Sequence, residues 1–245
     1  MLYDTDLVFL KDSYLTELQT TLIEVGQDET GAPMLYLDST LFYPEGGGQP
    51  SDTGTITGPH GTAKVTHARY MHGVVAHQCE IEGVFSPEET VTCRIDWEGR
   101  HRNMRAHTAG HILHDALVQL PGMAGVSPLK GNHKKLYVDY AGDTLIPADL
   151  APALEQKCNE IIAADYPLEF RQVSLDELKQ ICEYVPANLP ADKPLRVVKI
   201  GPFGAIPCGG THVRRTGEVG PMQILGIHMK KGVNHIKYQL DFLPD

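Results

Sequence analysis

No run of apolar residues in the 245-residue chain approaches the roughly 20 needed to cross a bilayer, so no membrane span is expected. The N-terminus, "MLYDTDLVFLKDSY", has acids where a secretory leader has a basic region. Cysteine is sparse and poorly arranged for crosslinking. The five, Cys79, Cys93, Cys158, Cys182 and Cys208, are odd in number, irregular in spacing and form no C-x-x-C, which argues against a disulfide framework. The expected compartment is the cytoplasm. Positive charge is also short: 21 basic against 31 acidic residues leave a net charge of -10, which argues against a general nucleic-acid binder. The basic residues that exist are clustered, in "EGRHRNMR" (Arg100, Arg102, Arg105), "LKGNHKK" (Lys130, Lys134, Lys135) and "HMKKGVNHIK" (Lys230, Lys231, Lys237). No internal repeat or low-complexity tract occurs. With 42% apolar and 21% charged residues, the composition is that of an ordinary globular protein of one large or two modest domains.

The first ninety-odd residues read as short strands rich in Thr, Val and Ile, such as "TTLIEVGQ", "AKVTHARYM" and "ETVTCRIDW", punctuated by Gly, Pro and Asp. That pattern predicts a small antiparallel barrel or sandwich. The character changes near Asp96. "NMRAHTAGHILHDALVQL" is helical and "PGMAG" stops it; "PADLAPALEQKCNEIIAADY" predicts a second helix with Asp149 as N-cap; "LDELKQICEY" predicts a short third one. Strands are expected at "KKLYVDYA", "PLEFRQVS", "LRVVKIGPF", "GPMQILGIHMK" and "NHIKYQLDFL". The expected fold class is α+β: a small antiparallel β-barrel domain over residues 1–96, then an α+β domain with a mixed sheet and helices over residues 97–245.

His107 and His111 lie four apart on the predicted helix, with His114 near the same meridian, so imidazoles share one face and can share one metal ion. Alone, such a pair is a weak signal, read more readily as partly exposed polar residues. "PCGGTHV" adds Cys208 four residues before His212, with glycines that allow a tight turn. Three imidazoles and a thiolate form a borderline-soft donor set suited to Zn²⁺. Other metal motifs fit poorly. H-E-x-x-H needs Glu where Thr108 stands, and the deaminase pair H-x-E with P-C-x-x-C lacks both its Glu and its second Cys here. No G-x-S-x-G supports a serine esterase or peptidase.

"DWEGRHRNMRAHTAGHILHDAL", "LKGNHKKLYVDYAG" and "IPCGGTHVRRTGEVG" together resemble the editing domain of alanyl-tRNA synthetase, and most of all its free-standing relatives, the AlaX trans-editing proteins. A glycine-rich N-terminal domain ahead of the zinc domain is similar to the medium-length AlaX type. The threonyl-tRNA synthetase editing fold is the nearest confusable family. The resemblance implies hydrolysis of the ester joining serine, or glycine, to the 3′ adenosine of mischarged tRNA(Ala). A pocket built for alanine rejects such near-isosteres weakly, whereas a second, hydrolytic site that hydrogen-bonds the serine hydroxyl discriminates well. It implies His107, His111, Cys208 and His212 as metal ligands. It leaves open whether zinc activates a water or anchors the substrate. Thr108 is a candidate for contact with substrate or water, against a helix threonine bonded to its own backbone. Asn132 and His133 fall where pocket residues are implied, against a solvated turn. Gly110 costs up to about 1 kcal/mol of helix propensity and is expected to make room beside the metal. Arg102 and Lys231 are expected to meet tRNA phosphates. A tRNA-binding module with a structural zinc is the competing class, and monomer or dimer is left open. If these 245 residues are the complete chain, no aminoacylation domain, and so no charging activity, is expected.

"FYPEGGGQP" reads locally as a hairpin tip framed by Pro44 and Pro50. Three ordered glycines lose much entropy, so a simple turn does not need them all. By the resemblance, Gly46, Gly47 and Gly48 would bring backbone N–H groups to the aminoacyl ester and Gln49 would offer a neutral amide, the loop closing over the metal ligands.

Overall fold

Alternation of β-branched residues with polar ones gives strands in the first unit of the computed structural model, which describes residues 4–182, 185, 189 and 195–241. The chain divides into two units: residues 1–46 with 50–101, and residues 47–49 with 102–245. In the first, a two-residue strand, β1 (Asp6–Leu7), pairs parallel with β4 (Ser39–Thr40). The others are β2 (Glu17–Gln27), β3 (Pro33–Leu37), β5 (Gly54–Thr57), β6 (Gly61–Met71), β7 (Val74–Gly83) and β8 (Thr90–Ile95). They close an antiparallel barrel in the order β2-β3-β7-β6-β5-β8, so no strand edge is left open in it. Its interior is apolar: Leu22, Leu35, Leu37, Ile56, Val65 and Val75 are fully buried. Each contributes about 1.5–3 kcal/mol relative to exposure.

Polar side chains are buried in this unit as well, among them Arg100, Asp52 and His77. Arg100 is 1% exposed. Its guanidinium donates to both oxygens of Asp52 and to the carbonyls of Ser13 and Leu41. Arg100 is therefore withdrawn from the basic cluster expected to meet phosphates. A buried charge survives only with such partners. His77 is fully buried, its ring nitrogens against the Thr40 hydroxyl and the Leu35 carbonyl, and burial lowers its pKa to about 4. Because the folded form holds this imidazole neutral, its contribution to stability is complete above the ordinary value near 6.5. It is lost as the pH falls from there toward 4, a swing on the order of 3 kcal/mol. Acid titration of unfolding should show that loss, and His77→Gln should flatten it. An unchanged pH profile in the variant would remove His77 from the account.

Helix α1 (Trp97–Leu117) starts six residues before the periodic pattern does. The Asp96 carboxylate accepts the Gly99 N–H at 3.2 Å and caps it, with Glu98 in the first turn facing the helix dipole. In the second unit follow β9 (Pro128–Asn132), β10 (Tyr137–Ala141), α2 (Ala151–Ala163), β11 (Leu168–Gln172), α3 (Leu175–Ile181), β12 (Arg196–Ile200), β13 (Ala205–Pro207), β14 (Met222–Lys230) and β15 (Val233–Leu240). They form a four-stranded sheet, β14-β15-β10-β9, and a three-stranded one, β11-β12-β13. The fold class is α+β. Asp149 is not an N-cap: it lies in a single 3-10 turn, residues 148–150, that leads into α2 without a side-chain cap. Ser174 does cap α3, accepting from the Glu177 N–H. The ends of two expected elements, at Glu183 and Tyr184 and at Phe242 and Leu243, lie outside the described residues. Among those described, no helix is long and apolar enough to cross a membrane.

Candidate metal centre

The 3.6-residue period of α1 puts His107 and His111 on one face, and the loop after β13 brings Cys208 and His212 against it. One donor atom from each of His107, His111, Cys208 and His212 lies within 4.8 Å of every other. The Cys208 Sγ is 3.4 Å from His107 Nε2 and 3.2 Å from His212 Nε2. The ring centroids of His107 and His212 are 4.3 Å apart, and those of His111 and His212 4.7 Å.

The far nitrogens of two rings are held. Gln49 Oε1 lies 2.8 Å from His107 Nδ1, and the Thr108 hydroxyl lies 3.1 Å from His212 Nδ1. An amide oxygen can only accept, so His107 carries its proton on Nδ1 and turns the Nε2 lone pair inward. The Thr108 hydroxyl, which also accepts the Val213 N–H, bonds the His212 Nδ1 and leaves its Nε2 facing Cys208. Such outer partners fix tautomer and ring orientation at metal sites. Burial, then the surrounding histidines and Arg196, hold His107 well below the usual imidazole range. Burial lowers His111 to about 3 and His133 to about 4, the latter opposed by the carbonyls of Ala106 and Gly47. The imidazoles are neutral at physiological pH, as metal ligands must be. Cys208 keeps part of its surface, yet the surrounding protein raises its thiol pKa, against the Arg196 guanidinium and the Gly210 N–H. His111 Nδ1 is buried with no hydrogen-bond partner. An orphaned buried nitrogen in a ring of neutral imidazoles and a thiol fits a cation that prefers N and S donors, Zn²⁺ foremost.

The structure assigns places to the remaining expected residues. Gln49 is 1% exposed; its Oε1 also accepts the Thr211 N–H at 3.1 Å and its Nε2 donates to the Thr211 hydroxyl at 2.8 Å. Both ends of the amide are spent on protein partners. Gln49 and Thr108, expected among the catalytic groups, lie against the outward nitrogens of His107 and His212. Gly47 and Gly48 are exposed beside it, with φ of +59° and +82°. The Gly48 carbonyl accepts the His133 N–H at 2.9 Å. The Gly46 carbonyl accepts from the Tyr43 hydroxyl within the first unit. His133 stacks on His107 at 4.1 Å, and its ring fills the space left by Gly110 and Gly131. Asn132 points elsewhere: its Oδ1 accepts the Lys135 N–H at 2.8 Å, closing the turn after β9. Arg102 is exposed on α1 and Lys231 is exposed at the tip of the β14–β15 hairpin, neither at the cluster. Arg105 is turned inward to the Val219 carbonyl and Asp241.

Three contributors are absent from the sequence-derived expectations. Arg196 of β12 is 5% exposed, donates to the carbonyls of Cys208 and Gly210, and lies over the Phe170 ring at 5.0 Å. Phe170 is half-exposed, 6.1 Å from the His212 ring. Thr211 holds Gln49 from inside the "CGGTH" loop. Only Thr211 has a signal in the sequence, its place between two ligands.

Residues 195–235 match the family described as "Threonyl and Alanyl tRNA synthetase second additional domain", and residues 13–99 match "tRNA synthetases class II (A)". The chain is 33% identical over 232 residues to the alanyl-tRNA editing protein AlaX-L of Pyrococcus horikoshii, covering 91% of this chain and 54% of that protein. It is 33% identical over 228 residues to the alanine–tRNA ligase of Pyrococcus abyssi, covering 91% of this chain and 24% of that one. The chain thus spans about half of the first relative and a quarter of the second. To the alanyl-tRNA editing protein AlaX-M of Methanosarcina barkeri it is 30% identical over 246 residues, covering 96% of this chain and 98% of the relative.

Proposed function

Because the chain belongs to the family of alanyl-tRNA editing proteins, we propose that it hydrolyses mischarged tRNA(Ala), releasing serine or glycine from the 3′ adenosine. The observation that carries this reading is the convergence of His107, His111, Cys208 and His212 within 4.8 Å. Zn²⁺ held there would supply Lewis-acid polarisation of the ester carbonyl or lower the pKa of a water to about 7. The chain's own groups do the rest. Gln49 keeps His107 in the ligating tautomer and Thr108 holds the His212 ring in place. Arg196 pins the Cys208–Gly210 backbone. The ester approaches at the exposed Gly47 and Gly48, near the His133 ring stacked on His107.

The test is deacylation of Ser-tRNA(Ala), Gly-tRNA(Ala) and Ala-tRNA(Ala) by zinc-loaded and chelator-treated protein. The expected result is rapid loss of the first, or the second, with Ala-tRNA(Ala) spared, and loss of that activity with the metal. Intact Ser- and Gly-tRNA(Ala) would end the proposal. The description matched by residues 195–235 also names threonyl-tRNA synthetase, so Ser-tRNA(Thr) is the informative further arm. Preferential hydrolysis of that substrate would favour a threonyl-type deacylase.

A further inference from the structure

The net charge of -10 is unevenly distributed. Residues 222–240 contain no acid and carry His228, Lys230, Lys231, His235 and Lys237. Residues 128–141 contain Lys130, Lys134 and Lys135 against one acid, Asp139. These two segments are the two hairpins of the four-stranded sheet.

Register fixes what faces outward, because directly paired residues share a face. One row across the sheet reads His228, His235, Asp139, Lys130; the next reads Gly226, Lys237, Tyr137, Asn132. The alternate residues, Ile227, Ile236, Val138 and Tyr238, are buried on the other face. The outer face is therefore polar and basic. Its acid is already committed: Asp139 is 2.7 Å from His235 Nδ1 and 3.8 Å from Lys130 Nζ. The Tyr137 and His235 rings lie 4.4 Å apart near its centre. The hairpin tip, Lys231-Gly232, has φ of +52° and +74°, the tight type I′ form, and leaves Lys231 exposed beside Lys230.

We propose that this outer sheet face, with Tyr137, His235 and Lys237 at its centre and Lys130 on its β9 edge, is where the phosphate backbone and unpaired bases of the tRNA substrate lie. Lysines neutralise phosphates, and aromatic rings exposed on a sheet stack unpaired bases. Position supports the same partner. Strand β9 carries Lys130 and Asn132 on this face, and the next residue, His133, stacks on His107. The β9 edge thus lies between this face and the His107 cluster, and is the edge over which the 3′ end of an RNA on the sheet would pass. The inference rests on the deacylase reading and names its binding surface.

The experiment uses the full chain carrying Lys130→Gln and Lys237→Gln, with Lys64→Gln as a control at an exposed lysine of the barrel unit. Uncharged tRNA(Ala) binding is measured against salt. Hydrolysis is followed on Ser-tRNA(Ala) and on a seryl ester of adenosine, which has no phosphodiester. The double variant should bind tRNA at least about 10-fold more weakly, with a log–log salt slope shallower by about 1.4. KM for Ser-tRNA(Ala) should rise in step, with kcat and the adenosine ester unaffected. Tyr137→Leu should weaken binding about 10-fold without moving the salt slope. Wild-type affinity and slope in the double variant, or an equal loss in Lys64→Gln, would overturn the assignment. If wild-type protein hydrolysed neither ester yet bound tRNA through these lysines, the deacylase reading would fall and this surface would stand.

Discussion

The His107→Ala protein is expected to stay folded, to lose its zinc, and to deacylate Ser-tRNA(Ala) about 10³-fold more slowly, a loss of about 4 kcal/mol of transition-state stabilisation. Among the four clustered donors, His107 has partners on several sides. It faces Cys208 through Nε2, is oriented by Gln49 through Nδ1, and supports the stacked ring of His133. Alanine removes the donor and both supports at once. Gln49→Leu separates these contributions. It keeps the imidazole but removes the acceptor that fixes its tautomer, and loss of such an outer partner costs about 10- to 100-fold in metal affinity or activity. Zinc content by elemental analysis and single-turnover deacylation should therefore rank wild type above Gln49→Leu above His107→Ala. Zinc binding and rate unchanged in His107→Ala would refute the ligand assignment. Full activity in Gln49→Leu would reduce the amide to a packing role.

Whether a feature is legible in the sequence depends on whether it is periodic, spaced or merely tertiary. The barrel strands are legible because one face of each is buried, which imposes alternation. The four clustered donors are legible because two x3 spacings place them on a helix face and a glycine loop. Strand β9 is not, since an edge strand that opens on Pro128 and includes Gly131 has little strand propensity, and only pairing with β10 makes it one. The early start of α1 has its signal in Asp96 and Glu98, but the apolar period begins later. Arg196 is invisible: in "LRVVKI" it looks like an exposed strand residue, and only the folded loop supplies the carbonyls and the Phe170 face that bury it. Gln49 stands out for its place after the glycines, which points it at an ester. Its amide is instead held by His107 and Thr211, contacts separated by 58 and 162 residues that no local pattern encodes.

The two glycines between Cys208 and His212 give the sharpest expected contrast. A Cβ at Gly209 would meet nothing within 4 Å, so Gly209→Ala should leave deacylation within about 2-fold, the level of a surface change. A Cβ at Gly210 would lie 2.1 Å from His107 Cε1 and 3.1 Å from Gln49 Oε1. The ring must move, and it cannot move without breaking the bond that sets its tautomer. A displacement of about 1 Å in a catalytic constellation costs on the order of 10²-fold, so Gly210→Ala should lose at least that much in kcat/KM and release zinc more readily. Gly48 repeats the logic against the 131–133 segment that carries His133. Its φ of +82° is unfavourable for any Cβ, which would also lie 2.1 Å from the Gly131 carbonyl oxygen. Backbone cannot swing aside as a side chain can, so Gly48→Ala should displace the 131–133 segment and with it His133, lowering kcat/KM about 100-fold. The three variants assayed together decide whether the glycines serve flexibility or proximity. Equal losses at Gly209 and Gly210 would mean that the loop needs only freedom to bend. Loss confined to Gly210 and Gly48 would mean that backbone and imidazole require the space a Cβ would occupy.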